Sequence, residues 1–332
     1  MLTDNFLRKH TYLRVSVTDR CNLRCRYCMP PDGIELLPHY EILRNEEFEK
    51  IIEIFIKMGV KKIRFTGGEP LVRKGLVDII ASIHKAHPDI TLCLTTNGVL
   101  LDEFMEELKS HGVSKFNISL DTLNRERFME LTGRDYFDRV LSNIEKIMQE
   151  DSLDIKINAV LLRETLSEID DFLDYFAGKN ITLRFIERMP VTEQDSSNEF
   201  VPADELIELL KAKGELVRKE TEKSDVSQRF EMIYKQKFLK IGIIPPVTHK
   251  FCSSCNRLRL TSEGQLMTCL HSQAKYNLRD LIRSNVCEED IMNYISSAVK
   301  EKWSGHKIEC TADNKGCRSL TATTRAMSKI GG

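Results

Sequence analysis

The sequence predicts an α/β protein, a partial (β/α)6 barrel with a C-terminal α+β part, and three observations carry that prediction. Short apolar-rich runs alternate with helix-period segments through the first half of the chain. The strand candidates alternate apolar and polar residues instead of being apolar on both faces. After about Met189 the strand–helix rhythm gives way to a polar stretch, a helix and short paired strands. At 332 residues the chain is long for one ordinary core. We read two parts, 1–225 and 226–332.

The strand candidates of the first part are Tyr12–Thr18, Lys62–Thr66, Thr91–Thr96, Lys115–Leu120, Asp154–Val160 and Thr182–Ile186. Between them lie helices with one apolar stripe. Phe48, Ile51, Ile52 and Phe55 follow helical spacing, as do Leu76, Ile79, Ile80 and Ile83. Phe137, Val140, Leu141, Ile144 and Met148 form a third stripe, and Ile169, Phe172, Leu173 and Phe176 a fourth. Such repetition implies a parallel sheet with right-handed crossovers. After the polar stretch a helix is expected over about Ala203–Ala212. Gln228–Tyr234 and Phe238–Ile243 read as antiparallel strands, and Arg257–Thr261 and Gln265–Cys269 as a hairpin about Glu263-Gly264.

Helices cover the outside of a barrel, so each strand's apolar face should point to them and its polar face inward. The inward face then carries Arg14, Lys62, Arg64, Lys115, Lys156 and Arg184 against one acid, Asp154. Buried charge without a partner is costly, so this lining implies water and an anionic ligand. A phosphorylated or carboxylated substrate fits such a cavity.

The formal net charge is −1, which gives no global field for nucleic acid or an anionic membrane. No apolar run approaches the roughly 18 residues of a membrane span, and Met1 to His10 lacks a signal-peptide pattern. The expected location is the cytoplasm. Ten cysteines are many for such a chain, and a disulfide framework fits a reducing compartment poorly. Their clustering favours metal or redox chemistry.

Cys21, Cys25 and Cys28 follow the first strand, with Tyr27 just before the last. Three thiolates on one loop can hold three irons of a 4Fe–4S cube and leave the fourth open. A closed zinc site would need a fourth ligand, and the nearest histidine, His39, is distant in sequence. Gly67-Gly68-Glu69-Pro70 follows the second strand. This pair of motifs resembles the radical S-adenosylmethionine superfamily. The resemblance implies that S-adenosyl-L-methionine chelates the open iron, with its amine on the Gly67–Pro70 segment and its adenine beside Tyr27. An electron from the cluster then yields methionine and a 5′-deoxyadenosyl radical, the chemistry belonging to the cofactor.

Cys252 and Cys255, with Cys269 further on, form a second set. Its spacing leaves open a zinc ribbon completed by His249 or His271. Beyond the superfamily, the chain resembles the GTP 3′,8-cyclase family of molybdenum-cofactor biosynthesis. The resemblance rests on Ser16-Val-Thr-Asp-Arg-Cys-Asn, Lys61-Lys-Ile-Arg-Phe-Thr-Gly-Gly-Glu-Pro, Leu94-Thr-Thr-Asn-Gly, Asn117-Ile-Ser-Leu-Asp, Arg184-Phe-Ile-Glu, Phe251-Cys-Ser-Ser-Cys-Asn-Arg-Leu-Arg-Leu and the final Gly331-Gly332. It spans about Tyr12 to Gly332. It implies a second 4Fe–4S cluster, also on three cysteines, whose open iron faces the guanine of GTP.

Carried to matching positions, the resemblance assigns Arg14, Lys62, Arg64, Thr95, Lys156, Arg257, Leu258 and Arg259 to GTP. It assigns Tyr27, Gly68, Glu69, Ser119 and Met189 to S-adenosyl-L-methionine. Arg257, Arg259, Gly331 and Gly332 are the expected catalytic residues. The implied reaction takes H3′ from the ribose, joins C3′ to guanine C8, and returns an electron and a proton. The product is (8S)-3′,8-cyclo-7,8-dihydroguanosine 5′-triphosphate. The electron comes from a flavodoxin-like or chemical donor, the product passes to the next enzyme of the pathway, and a homodimer is allowed. A terminal Gly-Gly is commonly just a disordered end. The family reading instead inserts it into the active site, where glycine permits close approach.

Two further expectations follow. The family often has Phe-Gly-Arg where this chain has Phe6-Leu7-Arg8, a change expected to alter a turn far from the chemistry. Cys93, Cys287, Cys310 and Cys317 match no motif and are expected to be small core or surface residues. Two competing readings are a peptide-modifying radical enzyme and an iron–sulfur or zinc protein that binds nucleotides or RNA without turnover.

Overall fold

The structure, a computed structural model, describes residues 1–29, 34–190, 200–221, 224–273, 275–310, 317–320 and 327–330. Six parallel strands form its centre: β1 (Tyr12–Ser16), β2 (Lys62–Thr66), β3 (Thr91–Thr96), β4 (Val113–Ser119), β5 (Asp154–Leu161) and β6 (Thr182–Glu187). Then follow β7 (Glu215–Lys219), β8 (Gln228–Tyr234), β9 (Lys237–Ile244), β10 (Arg257–Leu260), β11 (Gln265–Met267) and β12 (Tyr276–Asn277). All twelve join one sheet in the order β12-β11-β10-β1-β2-β3-β4-β5-β6-β9-β8-β7. C-terminal strands therefore flank both edges of the central six. β10 lies parallel to β1, and β9 parallel to β6.

The central crossovers run through α1 (Asn45–Lys57), α2 (Leu76–Ala86), α3 (Leu101–Ser110), α4 (Arg125–Thr132), α5 (Phe137–Ile147), α6 (Arg163–Ser167) and α7 (Ile169–Phe176). The outward strand face packs against them: Leu13, Val15, Ile63, Phe65, Leu94, Phe116, Ile157 and Phe185 are all fully buried. That burial, at about 25 cal/mol per Å², is the main force holding the layers. The alternation read from the sequence is therefore the alternation of the barrel wall. β1 stops two residues short of the expected strand. Val17 N–H still donates to Thr66 O at 2.9 Å, but the Thr18 carbonyl turns to accept Gly68 N–H at 2.8 Å.

After β6 come α8 (Ala203–Lys213) and then, in the C-terminal part, α9 (Leu278–Arg283), α10 (Glu288–Lys300) and α11 (Met327–Ile330). A small antiparallel pair, β13 (Ile308–Cys310) and β14 (Cys317–Ser319), stands apart from the large sheet. It corrects one expectation. Cys310 and Cys317 are not independent thiols but a disulfide, because the ladder places them directly opposite each other. Cys93 is buried and Cys287 exposed, and both are free thiols. No helix among the described residues is long and apolar enough to cross a membrane.

Candidate active site

The inward face gathers its charges by register. Arg259, Arg14 and Arg64 lie side by side on β10, β1 and β2, and Asn158 and Arg184 on β5 and β6. Arg64 is buried, donating to Tyr12 Oη at 2.8 Å, Leu94 O at 2.6 Å and Thr95 Oγ1 at 3.4 Å. Lys62 Nζ stands 4.7 Å over the Tyr12 ring. Arg184 donates twice to Asn158 Oδ1, at 2.9 and 2.7 Å. Its opposite residue on β9 is Gly242, where a Cβ would come within 2.7 Å of Arg184 Cγ. Only glycine leaves that guanidinium its place.

These cations act on one another. Burial and then Arg14 and Arg257 push Arg259 down to about 9. Burial and then Arg64 push Arg184 down to about 10. Burial raises the Tyr12 hydroxyl, but Arg64, Arg14 and Lys62 outweigh it and hold it at about 8. Asp154 is the counter-ion the sequence showed: it accepts from Lys156 and lies 3.6 Å from Lys115. One carboxylate serves two lysines, and the guanidinium groups of Arg14, Arg64, Arg184 and Arg259 share the same face. Such a cavity suits a polyanion.

The first cysteine set lies at the end of the barrel to which the parallel strands run. Its loop is pinned by Arg24 N–H to Thr132 O at 2.7 Å and Arg26 N–H to Leu131 O at 3.0 Å. Cys21, Cys25 and Cys28 are half-buried and outside any disulfide. Burial pushes the Cys25 thiol well up, with Asp121, Cys28 and Cys21 adding to it, so the three sulfurs are close enough to act on one another. Leu23 N–H and Asn97 Nδ2 donate to Cys21 Sγ at 3.4 and 3.7 Å. Tyr27 Oη donates to Asp121 Oδ2, whose other oxygen accepts Val160 N–H at 2.8 Å.

Gly67 and Gly68 bring β2's end against this loop. A Cβ on Gly68 would meet Arg20 O at 2.3 Å, and one on Gly67 would meet Thr18 O at 2.6 Å. Glu69 N–H donates to Arg20 O at 2.8 Å. The Glu69 carboxylate is buried and turned to the protein, accepting from Leu71 N–H, Thr96 Oγ1 and Asn97 N–H. Burial raises it to about 7 against those bonds.

The second set lies at the opposite end. Cys252 and Cys255 precede β10, which runs parallel to β1, and Cys269 follows the antiparallel β11. Burial pushes the Cys255 thiol up, but Arg257 and Lys302 outweigh it and hold it at about 6. Arg257 Nη2 donates to Cys255 Sγ at 3.8 Å. Among the described residues no three His, Cys, Asp or Glu side chains gather as a site for a single ion. An iron–sulfur cube takes each thiolate on a separate corner and needs a wider set. Free thiols carrying N–H donors fit such a group in both places.

Other residues named from the sequence fall as follows. Arg257 and Arg259 face the cavity, but Leu258 alternates outward, fully buried opposite Leu13 in the core, so its backbone alone faces the site. Ser119 is half-buried beside Asn158 at the first-set end. Met189 packs against the Met267 and Ile330 cluster, as does Met327. Gly331 and Gly332 lie outside the described residues. Ile330 is buried, and its carbonyl accepts from Arg259 Nη1 at 3.4 Å. His249 is bonded to Asp204 and His271 Nδ1 to Ser319.

Two groups were missed. Asn97, which the sequence marks only as a polar residue at the end of the third strand, donates to Cys21 Sγ at 3.7 Å and to Asn22 Oδ1 at 2.7 Å. Arg8 corrects the expectation that its turn is remote. Held by Asp4 at 2.6 Å, it donates to Cys252 O at 2.7 Å and Trp303 O at 2.6 Å. Nothing local in the sequence announces a contact across so many residues.

A barrel with a three-cysteine loop after its first strand and a Gly-Gly-Glu-Pro turn after its second defines a radical S-adenosylmethionine protein. Residues 15–176 match the Radical SAM superfamily, and residues 181–308 match Molybdenum Cofactor Synthesis C. The superfamily carries a 4Fe–4S cluster and S-adenosyl-L-methionine. A Streptococcus suis structure, SuiB bound to S-adenosylmethionine, shares the fold with a TM-score of 0.61 at 17% identity, covering 87% of this chain and 69% of its own.

The GTP 3′,8-cyclase of Clostridium botulinum is 38% identical over 100% of both chains, and that of Peptoclostridium acidaminophilum 39% identical over 93% of this chain and 94% of its own. The chain belongs to the GTP 3′,8-cyclase family. Molybdenum cofactor biosynthesis protein 1 of Dictyostelium discoideum is 38% identical over 92% of this chain, which spans about half, 49%, of that longer protein.

Proposed function

We propose that this chain converts GTP to (8S)-3′,8-cyclo-7,8-dihydroguanosine 5′-triphosphate in molybdenum-cofactor biosynthesis. The observation that carries the reading is the cationic cavity between two three-cysteine sets at opposite ends of one barrel. Cys21, Cys25 and Cys28 hold the first 4Fe–4S cluster, and Cys252, Cys255 and Cys269 a second. When bound, the first cluster and S-adenosyl-L-methionine supply the 5′-deoxyadenosyl radical that takes H3′ from the ribose.

The remaining work belongs to the chain. Arg14, Lys62, Arg64, Thr95 and Lys156 bind GTP from the inward face, with charge-assisted bonds to its phosphates and base. Tyr27, Gly68, Ser119 and Met189 orient S-adenosyl-L-methionine. Its amine is received by backbone carbonyls of the Gly-Gly turn, because the N–H groups of Gly68 and Glu69 already serve Thr18 and Arg20. Glu69 holds that turn to Thr96 and Asn97. Arg257 and Arg259 face the guanine and stabilise charge that develops there. Gly331 and Gly332, next in sequence after Ile330, act in the same site. A one-electron donor, a flavodoxin-like protein or a chemical reductant, closes the balance with a proton from solvent. The parts 1–225 and 226–332 divide labour rather than packing, since one sheet runs through both. We place the protein in the cytoplasm, passing its product to the next enzyme of the pathway.

The test is anaerobic turnover of reconstituted protein with S-adenosyl-L-methionine, dithionite and GTP, followed by mass spectrometry. GTP-dependent 5′-deoxyadenosine together with an isomer of GTP is expected. Deoxyadenosine without that isomer moves the substrate elsewhere, and neither product from protein holding both clusters overturns the enzymatic reading.

A further inference from the structure

Lys302 is the most deeply enclosed ammonium near the second cysteine set, and no motif singles it out. It follows α10, whose Ile295 and Val299 are fully buried, and its N–H closes the helix on Val299 O at 3.1 Å. The residue is 4% exposed. Its Nζ donates to Arg257 O at 2.7 Å and to Thr268 O. Arg257 is two residues beyond Cys255, and Thr268 immediately precedes Cys269. One ammonium thus bridges the two arms that carry the cysteines.

Among the described residues Lys302 pairs with no carboxylate. Burial pushes the Lys302 ammonium down; the Cys255 and Cys269 sulfurs oppose that push, while Arg257 and Arg8 add to it. His10, buried and bonded to Asp4, also lies within its field. An ammonium is costly to bury without an anion. The second thiolate set is the anion this site provides.

We propose that Lys302 is a positioning residue that sets the reduction potential of the second cluster, an inference that rests on the two-cluster reading above. A 4Fe–4S cube on three thiolates is anionic and gains one further negative charge when it accepts one electron from an external one-electron donor. No proton need move. A fixed cation in a dry site favours the more negative state, so Lys302 raises the potential and eases entry of the electron. It also fixes Cys255 and Cys269 relative to each other through the backbone.

The experiment compares wild type, Lys302→Gln and Lys302→Arg, each reconstituted anaerobically. Iron and sulfide are counted first, and an EPR-monitored redox titration follows. Glutamine keeps a donor for the carbonyls and loses the charge; arginine keeps the charge. The expected result is eight irons per chain throughout, a more negative midpoint for the second cluster in Lys302→Gln, a midpoint near wild type in Lys302→Arg, and an unmoved first cluster. Eight irons with the same midpoint in Lys302→Gln overturns this inference alone. Four irons in wild type overturns the two-cluster reading, and this inference with it. Should Lys302→Gln fail to assemble, Lys302→Arg decides: full iron and a wild-type midpoint support the role, and loss of either overturns it.

Discussion

Leu7 adopts φ 62 and is 84% exposed, a bulky residue in the left-handed region with little packing to justify it. Its turn is held by Asp4, whose carboxylate accepts Phe6 N–H at 2.9 Å and Arg8 N–H at 3.0 Å. The turn aims Arg8 at the carbonyl of Cys252, which explains why glycine suits this position in the family pattern. Leu7→Gly should raise stability by about 0.5–1 kcal/mol, because the left-handed penalty outweighs the extra chain entropy of glycine. Anaerobic urea unfolding checks it; an unchanged or lower midpoint would mean the turn carries no such strain. At this scale the cysteines, the cavity cations and the glycine turn were legible, because motif chemistry is local. Arg8, Asn97 and Lys302 were not, since their roles depend on contacts made only after folding. Leu258 shows the converse: a contiguous motif names it, and strand alternation turns its side chain away.

At the scale of elements, α1 and α9 are joined by Arg283, which grips Glu47 at 2.8 and 3.0 Å. Glu47 is buried on α1 and also accepts Arg44 N–H at 2.8 Å. Burial pushes its carboxyl up, but Arg283 and Arg44 outweigh that and hold it at about 2. A folded-state value below the usual 4.5 adds stability that is complete above pH 4.5 and disappears as pH falls through about 2. Glu47→Gln should therefore cost about 1–3 kcal/mol near neutral pH, with wild type and variant converging toward pH 2. A difference that stays constant down to pH 2 would show that the charge is not the cause. The barrel strands were legible because their period of two is strict. α10 carries Ile291, Ile295, Ala298 and Val299 at helical spacing, a signal present but passed over. The six-residue α9 and the two-residue β12 are too short to have a period, and tertiary pairing makes them.

At the scale of the molecule, one sheet explains both halves of the chemistry. Parallel strands deliver the first cysteine loop at one end, and β10, added parallel at the edge, delivers the second set at the other. The polar faces between them supply the cations. The sequence showed the two sets and the cationic face but not their opposition, because that depends on β10 joining β1 across more than two hundred residues of chain. The disulfide at Cys310 and Cys317 was hidden for the same reason, as its partners are set by a ladder rather than a motif.

In the proposed reading GTP sits in this cavity with its ribose C3′ toward the first cysteine set. The most direct measurement is turnover of GTP deuterated at C3′, with S-adenosyl-L-methionine and dithionite under anaerobic conditions. One deuterium should transfer into 5′-deoxyadenosine, leaving a GTP isomer that has lost it. Unlabelled 5′-deoxyadenosine formed alongside product that keeps its deuterium would rule out abstraction at C3′.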